Sequence, residues 1–493
     1  MEGRDVDAGR RRGRAHGRQD SARGRAVGVP GCEPLPTITP NRPAILRRRM
    51  TPASGLGRLP GHRAPNGVIL VLYYSRHAPL RASAVDHLFS FRRYSGHRCI
   101  YINVAVRRVP AWVVALDVEL VVFHTLLLAT RWHRPMFRGV MERIQPVKRL
   151  ACPKVALPQD EYIFTNNLIE LLREFEVETV FTCAPESELP AIYGDLVDGP
   201  MRFIRVMAGY LEPVTIRRIE RLATGRRRSI DIGYRAYDPE ASLGRHAQLK
   251  SAIARVFQAA GSAAGLATDI SMRARDTLLG DRWYEFLLDC RWVVGVEGGA
   301  SVLDQDGRYL ECSRAYARRH PNASFEEVEQ ACFPGQDGGL AYVAISPRHL
   351  EACVTRTGQA LVEGSYNGIL EAGVHYLPIR SDFSDAADIA AAMMDEGLRT
   401  RLAERAYADV VATGKYTYPS FVHTVLESLP GGRAARASRL HGLLVGWEAA
   451  LDGPSWRLVW VAERVRRGGR TILERVGLFD VALSLRDRMG RDR

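Results

Sequence analysis

The strongest constraint on this chain is a regular return, from residue 67 onward, of short unbroken apolar runs separated by helix-patterned stretches. Val68-Ile-Leu-Val-Leu-Tyr73 follows the turn-forming Pro65-Asn-Gly67 and has no polar alternation, as expected of a strand covered on both faces in a parallel sheet. Cys99–Asn103, Glu119–His124, Lys154–Leu157 and Thr179–Cys183 are further strand candidates. Apolar spacing predicts helices over 81–95, where Val85, Leu88, Phe89 and Arg92 recur, and near 134–149 and 160–176. This alternation indicates a doubly wound α/β domain over 67–215. A second set predicts strands at Ser229–Tyr234, Ala267–Ile270, Trp292–Val296 and Ala341–Ile345, with helices at Ala247–Ala260 and Asp281–Leu288. Residues 216–430 therefore read as a second Rossmann-like domain, with a ligand cleft at the carboxyl ends of the strands.

Val109–Thr130 is apolar enough to suggest a membrane span. Asp117, Glu119 and His124 near its centre are costly in hydrocarbon, and Val121-Val122-Phe123 suits a buried strand better. The net charge of +14 would suggest nucleic acid, but residues 1–50 carry +7, 51–66 carry +2 and 431–493 carry +6, which leaves 67–430 at −1. Nucleic-acid binders need positioned cations on the folded body, so no nucleic-acid partner is expected. Residues 1–66 alternate Arg, Gly, Ala and Pro with few large apolar residues and read as a disordered basic tail. The eight cysteines form no Cys-x-x-Cys pair and follow no secretory signal, so neither a disulfide framework nor a zinc ribbon is expected and the compartment reads as cytoplasmic.

The sharpest local signal is Ser346-Pro-Arg-His-Leu-Glu351. Ser346 is a favoured N-cap and Pro347 a favoured first helical residue, so a helix should start there. Its first turn offers amides and Arg348 to an anion, and Glu351 can accept from sugar hydroxyls; an ordinary capped helix explains the same residues. The run Gly295-Val-Glu-Gly-Gly-Ala-Ser301 can bring backbone close to a phosphate, through Gly298, Gly299 and Ser301, or can be a plain turn, with Glu297 within reach of sugar hydroxyls. Asp304-Gln-Asp306-Gly307 matches a metal-binding Asp-x-Asp, but Gly307 makes a β-turn at least as good a reading; no obligatory metal or cofactor is expected. A metal-free anion site would then draw on cations, of which Arg235, Arg245, Lys250 and Arg348 are available. His375-Tyr376-Leu-Pro-Ile-Arg380 reads as a strand, with His375 able to touch a bound ligand. On the first domain, Asp86, His87, Asp160 and Glu161 are the candidates for an acceptor base, with the Asp160-Glu161 pair better placed because strand ends line the cleft.

Residues 229–421 resemble bacterial glycosyltransferase-like proteins related to group 1 transferases and the spore-coat glycosyltransferase-like family. The matching pieces are Gly233-Tyr-Arg235, Leu243-Gly244, Gly295–Ser301, Asp304–Gly307, Ser346–Glu351, Glu363-Gly-Ser-Tyr366, His375-Tyr376 and Asp382-Phe-Ser384, with Arg81–His97 and Gln159–Tyr162 similar upstream. The resemblance implies the two-domain GT-B fold, Arg348 on the diphosphate and Glu351 on the nucleoside ribose. It departs at Val343, eight positions before Glu351, where group 1 transferases usually carry another glutamate. The function implied is a hexosyltransferase-class enzyme moving a sugar from a nucleotide diphosphate sugar to a glycan or lipid-linked acceptor in cell-surface polysaccharide synthesis. A non-catalytic nucleotide-sugar or glycan-binding protein and a nucleotide-sugar epimerase of the same fold are the alternatives.

Residues 431–493 read as a basic amphipathic helical tail. Leu458, Val461, Ala462 and Val465 form one stripe and Ile472, Val476, Phe479 and Leu483 another, and Trp456, Trp460 and five arginines between 457 and 470 suit the surface of an anionic membrane, placing the enzyme peripherally at its inner face. Packing of these helices on the catalytic body is the competing reading. If the tail binds membrane, the full chain sediments with anionic vesicles at low salt and a chain shortened to 67–430 does so far less; equal sedimentation of the two rejects the assignment.

Overall fold

The computed structural model describes residues 67–76 and 82–429. The basic tail at 1–66 and the amphipathic segment at 431–493 lie outside the described residues.

Six strands form the first sheet: β1 (Val68–Tyr73), β2 (Arg98–Asn103), β3 (Val118–Phe123), β4 (Lys154–Ala156), β5 (Thr179–Thr182) and β6 (Arg202–Arg205), all parallel in the order β2-β1-β3-β4-β5-β6. Every side chain of β1 is fully buried. Val68, Leu70 and Leu72 enter one core with Val121, Phe123 and Leu128, while Ile69, Val71 and Tyr73 enter the opposite core with Leu88, Phe91 and Phe421. The period-2 alternation of a strand thus feeds two helix layers, and each such side chain contributes about 1.5–3 kcal/mol on burial.

The second sheet contains β7 (Ile230–Arg235), β8 (Thr268–Ser271), β9 (Cys290–Gly295), β12 (Gly358–Val362) and β13 (Leu377–Ile379), parallel in the order β13-β12-β9-β7-β8. Between β9 and β12, the short β10 (Gly298–Ala300) and β11 (Tyr342–Ala344) pair antiparallel. In both large sheets the strand order reverses after the first strand, at β1/β3 and at β7/β9, and such reversal points are where open α/β sheets hold ligands. The expected pair of doubly wound Rossmann-like units is present.

Three sequence expectations change. Ala341–Ile345 holds the expected strand as β11, but Gly295–Ser301, read as a phosphate-binding run or a plain turn, holds β10, and the two pair as the β10–β11 ladder. A Cβ on Gly299 would come 1.9 Å from the Tyr342 carbonyl oxygen, and its φ of +144° is one that glycine adopts readily, so the glycines serve close strand pairing. Packing also crosses the boundary drawn at 215/216. Ala300, Leu310, Leu340, Tyr342 and Ala344 enter the core of the first sheet, and the helix Tyr418–Glu427 places Tyr418, Phe421, Val422 and Val425 against its other face. Finally, Cys312 and Cys332 form a disulfide, because the consecutive helices Arg308–Arg319 and Phe325–Cys332 bring residues 20 apart in sequence together. No helix among the described residues is long and apolar enough to cross a membrane, and the Val109–Thr130 segment contains β3 as expected.

The two halves meet at Glu161. Its buried carboxylate accepts from Thr182 Oγ1, from the Cys183 N–H (3.1 Å), from Tyr193 OH (2.7 Å) and from Tyr342 OH (2.7 Å). Replacing it with leucine strands four buried donors, which should cost on the order of 3 kcal/mol or more, whereas Tyr342→Phe removes one donor and should cost about 1 kcal/mol. Urea unfolding midpoints check the ranking, and a Glu161→Leu protein as stable as the parent would remove Glu161 from this role.

Candidate functional site

The helix Pro347–Val354 starts directly beyond β11 and points its first turn at the ends of β7 and β9. Ser346 has the extended backbone of an N-cap (φ −97°, ψ 153°), and the proline in the first turn lacks only an N–H that would have no helical partner there. Arg348 Nη1 donates to the Arg235 carbonyl at the end of β7 (2.8 Å), so the helix is tied to the strand end by its own cation. One turn on, Glu351 accepts from Trp283 Nε1 (2.8 Å). Burial raises the Glu351 carboxyl pKa, the Trp283 bond and Arg348 oppose that rise, and Asp86 adds to it.

Lys250, on the helix Arg245–Ala263, feels Arg348 and Asp160 together. Burial lowers its ammonium pKa, Arg348 lowers it further, and Asp160 raises it. The exposed Tyr237 ring lies 5.9 Å from Lys250 Nζ. Asp160 follows β4 in a left-handed conformation (φ +52°), which Asp tolerates better than most residues. Its carbonyl accepts from Arg131 Nη2 (2.7 Å) and its Oδ1 from Tyr162 OH (2.9 Å). The buried Arg131 also donates to the carbonyls of Leu128, Gln159 and Ile163, so it sets the path of the whole 159–163 loop. Asp160 and Arg348, from opposite sheets, thus both act by their charge on Lys250, and Glu351 stands one turn beyond Arg348 on the same helix.

The remaining sequence candidates are placed otherwise. Glu161 is enclosed by its four donors, so within the Asp160-Glu161 pair Asp160 is the one that acts on Lys250. Glu297 accepts from the Ser365 N–H (2.9 Å), Ser365 Oγ (3.1 Å) and the Tyr366 N–H (2.6 Å), which fastens the loop after β12. Arg235 spends Nη1 and Nη2 on the Tyr234 and Asp269 carbonyls and on Asp269 Oδ2 (2.7 Å), with its guanidinium 4.3 Å from the Phe286 ring centre. Ser301 Oγ donates to Asp337 (2.6 Å) and accepts from the His246 N–H (3.2 Å), so it caps the Arg245–Ala263 helix. Gly298 and Gly299 lie in β10. His375 accepts from the Glu371 N–H (3.0 Å) at Nδ1 and pairs with Asp409 (3.0 Å) at Nε2, which occupies both ring nitrogens.

Asp304 Oδ2 accepts from the Leu310 N–H (2.9 Å) and Asp306 Oδ1 from Asn166 (2.7 Å), so this Asp-x-Asp organises a helix start rather than converging on one point. Asp86 is paired with Arg93 (2.8 Å), which also binds Glu212 (2.9 Å). His87 Nδ1 lies 2.8 Å from His124 Nε2 in a buried position, and burial lowers the His87 pKa to about 4. Val343, eight positions before Glu351, pairs with Gly299 in the β10–β11 ladder.

Trp283, His349 and Gln359 line the site although their sequence pattern did not single them out. Trp283 and Phe286 are three apart on the helix Asp281–Asp289, a spacing that reads as core. His349 lies inside the singled-out Ser346–Glu351 motif, but nothing in its spacing marks it apart from Arg348 and Glu351. Gln359 is a polar residue in a buried strand, and only the sheet register shows what it faces.

Neither a family model nor a curated protein matches the chain. Solved structures do. Anabaena HepE, solved in complex with UDP-glucose, aligns over 73% of this chain and 100% of its own at 10% identity and a TM-score of 0.38. A glycosyltransferase from Rickettsia africae aligns over 73% and 97% at 10% identity and a TM-score of 0.38. TarM aligns over 62% of this chain at 10% identity and a TM-score of 0.36, and the match spans 54% of TarM's own length. By its own two parallel sheets the chain is a Rossmann-like α/β protein with two doubly wound units.

Proposed function

We propose that the chain is a glycosyltransferase that binds a nucleotide diphosphate sugar at the Pro347–Val354 helix and passes the sugar to a glycan or lipid-linked acceptor held against the first sheet. One observation carries the reading: the start of the Pro347–Val354 helix holds Arg348 at the end of β7, beside the β7/β9 reversal point, with Glu351 one turn further along and with the Arg348 and Asp160 charges both acting on Lys250. The helix N-terminus and the two cations suit a diphosphate, first as ligand and then as leaving group whose negative charge grows as the glycosidic bond breaks. Glu351 suits vicinal hydroxyls of a ribose, exchanging its Trp283 partner for them. Asp160 is the acceptor-side carboxylate, held in place through its carbonyl by Arg131 and through its side chain by Tyr162. The donor site so described uses side chains and helix amides only, and the proposal includes no metal and no cofactor. Cell-surface polysaccharide synthesis at the cytoplasmic face of a membrane is the setting we assign to it.

Calorimetry with nucleoside diphosphates and nucleotide sugars tests the site. Glu351→Gln should lower nucleotide affinity by about 1.5–3 kcal/mol, roughly ten- to a hundredfold, with the fold intact; unchanged affinity rejects the ribose assignment. Arg348→Ala should weaken the diphosphate more than the free nucleoside, and equal losses count against it. Because burial raises the Glu351 pKa from its ordinary 4.5, and only the ionised carboxylate accepts two hydroxyls, affinity should begin to fall on acidification at a higher pH than an ordinary glutamate would give. In Glu351→Gln that part of the pH dependence should vanish.

A further inference from the structure

Between β10 and β11 the chain inserts the two helices Arg308–Arg319 and Phe325–Cys332, which pack on each other and are joined by the Cys312–Cys332 disulfide. Both bridged cysteines are partly exposed, whereas Cys183, Cys290 and Cys353 are buried. Burial raises the Cys99 and Cys152 thiol pKa values to about 11 and that of Cys353 to about 12, and it pushes Cys183 and Cys290 upward as well, so these five thiols stay protonated and unreactive. The apolar support under the helix pair is small: Val302, Val328 and Phe333 are buried, with Tyr309, Tyr316 and Phe325 partly so. A bridge across a separation of 20 residues shifts the balance between the closed and open pair by on the order of a hundredfold, so the pair leans on its disulfide.

What the pair holds is the start of the helix Arg245–Ala263. Arg245 places its guanidinium over the Phe325 ring (4.8 Å) and pairs with Glu326 (3.0 Å) and Glu329 (3.5 Å), all on the second helix of the pair. Asp337, in the segment that leaves the pair, accepts from the Arg245 N–H (2.9 Å) and from Ser301 Oγ (2.6 Å), and Ser301 Oγ accepts in turn from the His246 N–H (3.2 Å). Two of the first amides of the helix, which have no partner within it, thus depend on that segment. The fit is close, since a Cβ on Gly244 would collide with Ser301 Oγ and Asp337 Oδ1. Lys250 lies in the second turn of the same helix, so the position of its ammonium follows from how the first turn is held.

We propose that Cys312–Cys332 is a reversible thiol–disulfide site, reduced by a dithiol, that couples redox state to the order of the Arg245–Ala263 helix start. A thiolate of the dithiol attacks one cysteine sulfur, the S–S bond breaks, and the other cysteine leaves as a thiolate. The second sulfur of the dithiol then displaces the first cysteine. The protein gains two electrons and two protons as two thiols, and the dithiol departs as its own disulfide. With the bridge open the helix pair loosens, Glu326 and Glu329 part from Arg245, Asp337 releases the first amides, and Lys250 loses its fixed position. In the cytoplasmic setting assigned above, disulfides are transient and serve redox sensing. The reduced protein there binds a nucleotide diphosphate less tightly; that consequence rests on the nucleotide-sugar reading, whereas the coupling itself does not.

Hydrogen exchange on the full chain, with and without dithiothreitol, tests the coupling. Reduction should expose two further titratable thiols and speed exchange by about tenfold or more in peptides covering 308–340 and 243–250, while β1 stays as protected as before. The double variant Cys312→Ser, Cys332→Ser should show the fast exchange without reductant and no response to it; if that variant does not fold, the parent protein treated with dithiothreitol still decides. Absence of the two extra thiols, unchanged exchange at 243–250, or equal loosening of β1 each overturns the proposal. Calorimetry with UDP, CDP, ADP and GDP is then run on the oxidised and the reduced chain. A diphosphate that binds should do so about fivefold or more weakly after reduction, and equal affinity in both states overturns the link to the nucleotide site. If none of the four binds in either state, the nucleotide-sugar reading falls and the exchange data alone decide the coupling.

Discussion

The buried carboxylate of Glu161 is the interaction on which the arrangement of the two sheets depends. It sits just beyond β4 and draws donors from β5, from the helix after it and, through Tyr342, from a strand that follows β9 by almost fifty residues. A carboxylate taken out of water is tolerated only where its lone pairs are filled, and here four donors fill them. Burial still raises its pKa, and the four hydrogen bonds pull against that rise. Because one of the four donors belongs to β11, satisfying Glu161 also determines where the β10–β11 ladder lies against the first sheet. The Pro347–Val354 helix begins three residues beyond β11, so the placement of Arg348 and Glu351 follows from the same contact.

Around that anchor the polar residues divide into two groups. Those that hold backbone, such as Arg131 at the 159–163 loop, Glu297 at the loop after β12 and Ser301 at the start of the Arg245–Ala263 helix, are saturated with local partners. Lys250, by contrast, has no such saturating set among the described residues, and its ammonium pKa is lowered first by burial and then by Arg348, with Asp160 opposing. The division has a physical basis. A group with every hydrogen-bonding position filled by the protein gains nothing from a ligand, whereas cations held near each other without full neutralisation favour an anion between them.

Much of the architecture was legible in the sequence because β1, β3 and β9 carry apolar runs that only a doubly covered sheet accommodates, and because Ser346-Pro347 is a helix start under local rules alone. The glycine run at 295–301 was not legible in the same way. Glycine permits both a phosphate turn and a tight strand pairing, and the choice was made by the Tyr342 carbonyl, which lies forty residues away. β12 escaped notice since Gly358-Gln-Ala is apolar only in part, and Gln359 shows its role only when the register sets it opposite Val293. The Cys312–Cys332 disulfide follows from a helix pair, not from a spacing motif.

The sequence by itself therefore determined the class of fold, the near-neutral body between basic ends, and the helix that offers Arg348 and Glu351. Each of these depends on residues close together in the chain, where periodicity, capping and charge act locally. Tertiary structure alone decided which candidates share a site. It enclosed Glu161, brought Lys250 within reach of the Arg348 and Asp160 charges, and tied Trp283 to Glu351. Those outcomes depend on which donors remain after the backbone and its neighbours have been satisfied, and that balance exists only once distant segments are packed together.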